Sequence, residues 1–444
     1  MSSASQIAPL TESSHAGTLV AWRWVHVGVA ALAMVATLPG RTHGLGLFTE
    51  PIRQSLGLDT ENYGLLNMGA TLLGALFCLP CGWLIDRLGT RTVLTGVMVA
   101  LGGVVLAMSQ VQGDWVWRWS SPTPWGTVSI VLLVDFFLLV LLTRGLGQSA
   151  LSVASLSLIG RTASRRAGWA MGVYSVLVSA GFLGAFWILG DWVKQHPHEW
   201  RPAWASIGVA VLVAGLLAGT LVRNRLLTAE STPREASADG TAETSRTLGQ
   251  ALRSPAFWTF GVAVSFYGMV AAGTSLFNEG ILNTLFPEHT KRIFVNVTRL
   301  GIPVGLTANL LGGWLATRWS LSRMLALAMA ALAAALAVFP SVRAEWQVYL
   351  YAAVMAAAGG IITVCFFAVW RVGFGPAHLG KIQGAAQMLT VLFSALGPPL
   401  FGSAKTRLGS YLPLFPYLAA ASLALALTAW LAGLPGERPT TKTT

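Results

Sequence analysis

Residues 63–81 and 92–113 carry no charged side chain, and a short charged knot is pinned between them: Gly82-Trp83-Leu84-Ile85-Asp86-Arg87-Leu88-Gly89-Thr90-Arg91. An apolar run of roughly 18 residues or more is long enough to cross a bilayer as a helix. Two such runs joined by so short a charged stretch make two membrane helices and a tight loop at one bilayer surface. The same reading applied to the whole chain gives twelve spans, near 22–47, 63–85, 92–109, 127–158, 167–190, 203–223, 256–284, 293–317, 322–340, 346–372, 381–404 and 412–433. Composition agrees. Of the 444 residues, 54% are hydrophobic and 10% are charged, whereas a soluble domain has about 25% charged residues. A soluble globular fold is excluded, and the alternation of a membrane barrel is missing. The expected fold class is an all-α polytopic membrane protein.

The net charge of +12 is better explained by the membrane than by nucleic acid, because cytoplasmic loops collect Lys and Arg. With both termini inside, the inner loops hold nearly twice as many basic residues as the outer ones. The chain is therefore expected in a cell membrane with cytoplasmic termini. Residues 1–21 and 434–444 read as tails. The polar stretch 224–254 reads as a cytoplasmic linker between a bundle at 22–223 and another at 255–433. Cys78 and Cys81 have redox spacing but fall inside a span, where packing is the expected role. No nucleotide, zinc or nucleophile motif occurs, so no cofactor or metal is expected, and the chain reads as neither an enzyme nor a nucleic-acid binder, with a monomer as the default expectation.

Gly313-Trp314-Leu315-Ala316-Thr317-Arg318 repeats the knot at an offset of 231 residues, and Leu276-Phe277-Asn278-Glu279 repeats Leu47-Phe48-Thr49-Glu50 at an offset of 229. Six spans intervene, so the copies have the same orientation. This predicts two six-helix bundles related by a pseudo-two-fold axis along the membrane normal.

The pattern Gly82, Asp86, Arg87, Gly89, Arg91 between spans 2 and 3 resembles the signature loop of the major facilitator superfamily, with Gly313 and Arg318 as its degenerate copy and Thr90 where the family usually has a basic residue. Arg144-Gly145-Leu146-Gly147-Gln148 resembles the second signature, in span 4. The resemblance implies a secondary transporter with a gating loop at Gly82–Arg91. Looser motifs resemble the monocarboxylate and oxalate–formate carrier branch: Arg299 and Gly305–Asn309 in span 8, and Gln383–Gln387 and Ser394–Pro398 in span 11. The acid that branch places one turn before the span 8 arginine is replaced by Val295.

An ionisable group inside a span is costly unless it faces a cavity or a partner. Arg299 and Arg41 lie within spans and neither has a charged repeat mate, and a planar, permanently charged guanidinium suits a carboxylate. They are the leading substrate-binding candidates, with His43, Asn278 and Gln387 beside them. Glu279, His43 and Arg144 are the candidates for proton coupling. The expected function is transport of a small organic anion, a monocarboxylate, by alternating access with proton symport. The alternatives are export of an amphipathic or cationic compound, and a non-transporting receptor on the same fold.

Overall fold

The computed structural model describes residues 9–41, 44, 48–57, 60–111, 130–162, 167–196, 199–223 and 245–434. His43, most of the 224–254 stretch and the ends of both tails lie outside these residues. Among the described residues, twelve helices are long and apolar enough to cross a membrane: spans 1 to 12 are Trp22–Gly40, Leu66–Leu88, Thr90–Ser109, Asp135–Thr162, Ala170–Val193, Trp200–Leu221, Pro255–Leu285, Arg292–Leu315, Leu321–Ser341, Glu345–Phe374, Leu379–Leu408 and Leu414–Leu431. In a bilayer every backbone polar group must be satisfied within the segment, which is why the apolar runs emerge as helices. Turn chemistry sets their ends. Pro255 opens span 7 at its first position. The Ser320 hydroxyl caps span 9 by accepting from the Arg323 N–H at 3.3 Å. Gly89, at φ 85°, makes the sharp turn from span 2 to span 3.

Each half packs its own helices in equivalent pairs. Spans 3 and 6 pair in the first half as spans 9 and 12 do in the second. The first pair meets at Gly102 and Gly208, where a side chain on Gly102 would sit 2.9 Å from the Gly208 carbonyl oxygen. In the second, the Ser422 hydroxyl donates to the Met329 carbonyl at 2.9 Å. At the far end of the first half, Trp200 Nε1 donates to Ser55 Oγ at 2.9 Å and Arg201 Nη2 to the Val111 carbonyl at 2.9 Å.

Three expectations change. Hydropathy predicts a continuous span 1 over 22–47, but its α-helix runs Pro9–Val35 and gives way to a 3-10 turn, Leu38–Gly40. Pro39 has no N–H to continue the ladder. The same helix reaches back to Pro9, into the expected tail. The end of the 224–254 stretch is also ordered: Leu248–Leu252 forms a helical turn with a capping box between Thr247 and Gln250.

The halves meet at one end, called here the Asp86 end. Span 11 packs on spans 2 and 4, and span 8 on span 5. Span 1 instead packs on spans 4, 5 and 6, and span 7 on spans 8, 10, 11 and 12. Among the described residues, no hydrogen bond or ring contact between the halves lies farther from the Asp86 end than that of Asn309 Nδ2 to Ser179 Oγ, at 3.3 Å.

Candidate functional site

The broken part of span 1 faces a second irregularity. Span 4 is α-helical to Thr143, a π-helix over Arg144–Leu151, and α-helical again from Ser152. The 3-10 turn and the π-helix pack on each other. Gly40 is seated so closely on the Thr143 carbonyl and Gly147 that no side chain fits there. π-Segments inside α-helices are rare and cluster at functional sites. Unwound membrane helices are tolerated only where protein or a cavity satisfies them.

Arg41 emerges from this break with extended backbone, φ −91° and ψ 150°. Its side chain is half-buried. Nε donates to Thr37 Oγ1 at 2.7 Å, and Nη2 points to both Met34 Sδ at 3.1 Å and Ser152 Oγ at 3.2 Å. The Ser152 hydroxyl is directed at the same sulfur, 3.7 Å away. A thioether is a weak acceptor, so two good donors converge on a poor one, with Nη2 shared between it and the Ser152 oxygen. Nη1 makes no hydrogen bond among the described residues. The ring of Phe182 lies 5.3 Å from the guanidinium carbon. One step deeper in span 5, Tyr174 and Ser155 share a hydrogen bond of 2.8 Å, and Tyr174 stands edge-on to Phe367 of the other half at 4.9 Å.

Below this lies the closed end. Ser157 Oγ donates to Gln383 Oε1 at 2.8 Å, and Gln383 Nε2 donates to the Leu156 carbonyl at 3.2 Å. Ser152 is five residues from Ser157 on a regular helix, and Gln387 is four from Gln383, so both stand about 6–8 Å beyond that bond. Ser152, which touches Arg41, and Gln387 are therefore at similar depth on opposite halves. Gln387 is buried and makes no hydrogen bond among the described residues.

Asp86 closes the seam between spans 2 and 11. Its Oδ1 accepts from Arg161 Nη2 at 2.6 Å and from the Gly380 N–H at 3.1 Å, and its Oδ2 accepts from the Lys381 N–H at 3.1 Å. The carboxylate thus caps the first turn of span 11, where unpaired N–H groups and the helix dipole favour negative charge. Gly82 allows the approach, because a side chain there would run into the Gly380 carbonyl. Arg371 of span 10 adds a hydrogen bond to the Gly160 carbonyl of span 4. Among the described residues, the seam between spans 5 and 8 has no such carboxylate. Thr317 stands where Asp86 has its mate and bonds back to the Trp314 carbonyl at 2.7 Å. Gly172 lies against Gly313 instead, so close that a methyl group added to Gly172 would stand 3.1 Å from the Gly313 Cα.

The other candidates are dispersed. Arg299 is exposed and makes no hydrogen bond or ion pair among the described residues. It lies ten residues from Asn309, about 15 Å farther from the Asp86 end, and about 180° around the helix from Ala308, which packs on span 10. Glu279 is exposed at the far end, lining a pocket of about 800 Å³ with Asn283, Glu288, His289, Thr290 and Arg292. Asn278 is half-buried beside it. Arg144 is buried in the π-helix, donating to Asn67 Oδ1 at 2.9 Å and to Gln148 Oε1 at 3.5 Å. Arg87 turns outward over Trp83 rather than into the seam. Arg91 Nε donates to the Gly219 carbonyl at 2.6 Å, tying span 3 to span 6. Arg318 lies over Trp314. The structure therefore does not gather Arg41, Arg299 and Glu279 into one constellation. It adds Met34, Thr37, Ser152, Phe182, Ser157 and Gln383, which the sequence signalled only through Pro39-Gly40 and the serines at 149, 152, 155 and 157.

Solved structures of transporters share this architecture. The proton:xylose symporter XylE aligns over 93% of this chain and 96% of its own, with TM-score 0.68 and 16% identity. FucP in its outward conformation aligns over 93% and 98%, with TM-score 0.66 and 14% identity. The human organic anion transporter MFSD10 aligns over 93% and 98%, with TM-score 0.60 and 16% identity. No curated protein sequence matches the chain. A family model described as Major Facilitator Superfamily matches residues 30–294. That stretch is more than half of the chain and takes in both the broken span 1 and the Asp86 end of span 2, and the chain belongs to the major facilitator superfamily of membrane transporters.

Proposed function

We propose that the protein carries a small organic anion, a monocarboxylate, across a cell membrane by alternating access. The supporting observation is Arg41: a guanidinium at a helix break, half-buried, with Nε held by Thr37, Nη2 shared between the Met34 thioether and the Ser152 hydroxyl, and Nη1 without a hydrogen bond among the described residues. A carboxylate replacing the Met34 sulfur would accept from both Arg41 and Ser152. Such charge-assisted bonds are roughly twice as strong as neutral ones. Gln387 supplies an amide from the other half. The loose motifs of spans 8 and 11 support the monocarboxylate branch. Arg299, near the far end, serves as an entry charge rather than the main ligand. His43, two residues from Arg41 in the chain, is a further candidate for substrate contact or proton carriage.

In this reading the Asp86 end is cytoplasmic, both termini are inside, and the transporter works as a monomer. Asp86, Gly82, Gly89 and the Ser157–Gln383 bond hold the inner gate closed while the far end admits substrate. Proton symport would use Glu279 as carrier, with Arg144 as a relay held in the π-helix.

The test is uptake of radiolabelled short-chain monocarboxylates, neutral sugars and organic cations into proteoliposomes, with and without an imposed pH gradient. Carboxylate uptake driven by an inward proton gradient, lost in Arg41→Gln and uncoupled in Glu279→Gln, is the expected result. Uptake of sugars or cations that ignores Arg41→Gln would sink the anion reading. Binding without flux would instead support a receptor.

A further inference from the structure

The repeat that divides the chain keeps a glycine, the tryptophan next to it and an arginine four residues after the tryptophan: Gly82, Trp83 and Arg87 in one copy, Gly313, Trp314 and Arg318 in the other. It does not keep the acid. Each glycine faces a seam, Gly82 against Gly380 and Gly313 against Gly172. The next residue is turned about 100° around the helix, which directs both tryptophans outward. Trp83 is 44% exposed and Trp314 37%. The Arg87 guanidinium carbon lies 5.0 Å from the Trp83 ring centre, and that of Arg318 lies 4.3 Å from Trp314. Both arginines are exposed, and neither has an ion-pair or hydrogen-bond partner among the described residues. On the membrane side of each tryptophan the helix surface is apolar and exposed, with Leu76 and Leu79 in the first copy and Leu310 and Leu311 in the second.

Apolar surface, then an interfacial indole, then an uncompensated cation is the sequence of environments along a lipid from acyl chain to headgroup. Stacking on the indole face fixes the guanidinium without neutralising it. Its N–H edges stay available for a forked bond to a phosphate. We propose that Trp83–Arg87 and Trp314–Arg318 are two pseudo-symmetric binding sites for the phosphate of anionic phospholipids, in the leaflet at the Asp86 end. The apolar approach distinguishes a lipid from a soluble phosphate. Because the glycine on the inner side of the same turn forms the seam, a lipid held here rests on the turn that moves when the halves part.

The test is native mass spectrometry of the full-length protein from nanodiscs containing equal phosphatidylglycerol and phosphatidylcholine. The wild type is expected to retain up to two phosphatidylglycerol molecules in preference to phosphatidylcholine. Arg87→Gln and Arg318→Gln should each weaken one site by about fivefold, and the double variant should lose the preference. Arg343→Gln, at the far end, should leave it intact. Thermal unfolding gives a second measure: phosphatidylglycerol should raise the midpoint of the wild type but not of the double variant. Equal retention of the two lipids by the wild type would overturn the proposal, as would a double variant that keeps the preference and the stabilisation. Displacement of the lipids by soluble glycerol phosphate would show a phosphate site with no lipid specificity and would also overturn it.

Discussion

Spans 1 and 7 hold equivalent places in the two halves, yet span 7 is helical without interruption over Pro255–Leu285, whereas the helix of span 1 stops at Val35 and tightens into a 3-10 turn. Spans 4 and 10 differ in the same way: one contains the π-helix Arg144–Leu151, the other is α-helical over Glu345–Phe374. The two defects of the first half pack together and present Arg41, whose repeat mate by the 229 offset is the buried Val270. The closed end repeats the asymmetry. One seam is bound by a carboxylate with three donors, the other by glycine against glycine. A shared architecture therefore does not distribute chemistry evenly. The second half supplies regular helices to pack against and helix N-termini to be capped. The first supplies the irregular backbone and the carboxylate that seals the closed end.

The asymmetry between the halves should be largest in the two arginines. Arg41→Gln should lower carboxylate uptake by about a hundredfold or more, the scale expected when one partner of a desolvated charge pair is removed. Arg299→Gln should cost only about fivefold. Transport assays in proteoliposomes decide it, and the reverse ranking would move the site to the second half.

The two seams can be compared next. Asp86→Asn loses the charge that Arg161 and the first turn of span 11 share, where each charge-assisted bond is worth about 1.5–3 kcal/mol. Turnover should fall roughly tenfold, while substrate affinity measured by calorimetry stays unchanged. A variant that lost affinity and kept its turnover would show that Asp86 serves the substrate instead.

A finer comparison uses the glycines. Gly82→Ala must push spans 2 and 11 apart, because the added methyl meets the Gly380 carbonyl, whereas the nearest atoms to a methyl on Gly172 are the Gly313 Cα at 3.1 Å and the Asn309 carbonyl oxygen at 3.4 Å. Cys78 is buried at the first seam, its carbonyl beside Gly384. With Cys81 and Cys365 replaced by serine, maleimide labelling of Cys78 should rise several-fold in Gly82→Ala and little in Gly172→Ala. Equal rises would mean that the seams open as one. The smallest effect is expected from Ser157→Ala, which leaves Gln383 its bond to the Leu156 carbonyl. Losing one neutral hydrogen bond, worth about 1 kcal/mol, should change the labelling rate about two- to fivefold.

The spans were legible because the bilayer enforces them: an apolar run must satisfy its backbone internally, so hydropathy alone places the helices, and Gly89 and Pro255 set their ends. The repeat was legible because Gly-Trp-Leu and Leu-Phe-x-Glu survive at nearly one offset. The break in span 1 was only half legible. Pro39-Gly40 signals it, but hydropathy does not respond to hydrogen-bond geometry, so the apolar run reads straight through the turn. The π-helix left no sequence signal beyond Gly145 and Gly147. The site itself was the least legible part. Arg299 and Arg41 are equally conspicuous as lone charges in apolar runs, and only side-chain contacts separate them.

Local hydrophobicity, spacing and turn chemistry were thus enough to read twelve membrane crossings, a chain built twice over, and a tight turn close to Asp86, although the charged knot stays helical through Leu88 and only Gly89 makes that turn. Tertiary packing sets which arginine keeps an unspent donor, which residues bolt the halves together, and that Asp86 caps a helix nearly three hundred residues away in the chain. Those facts depend on which faces of distant helices meet. Packing across the two halves sets that, and no local window of the sequence contains it.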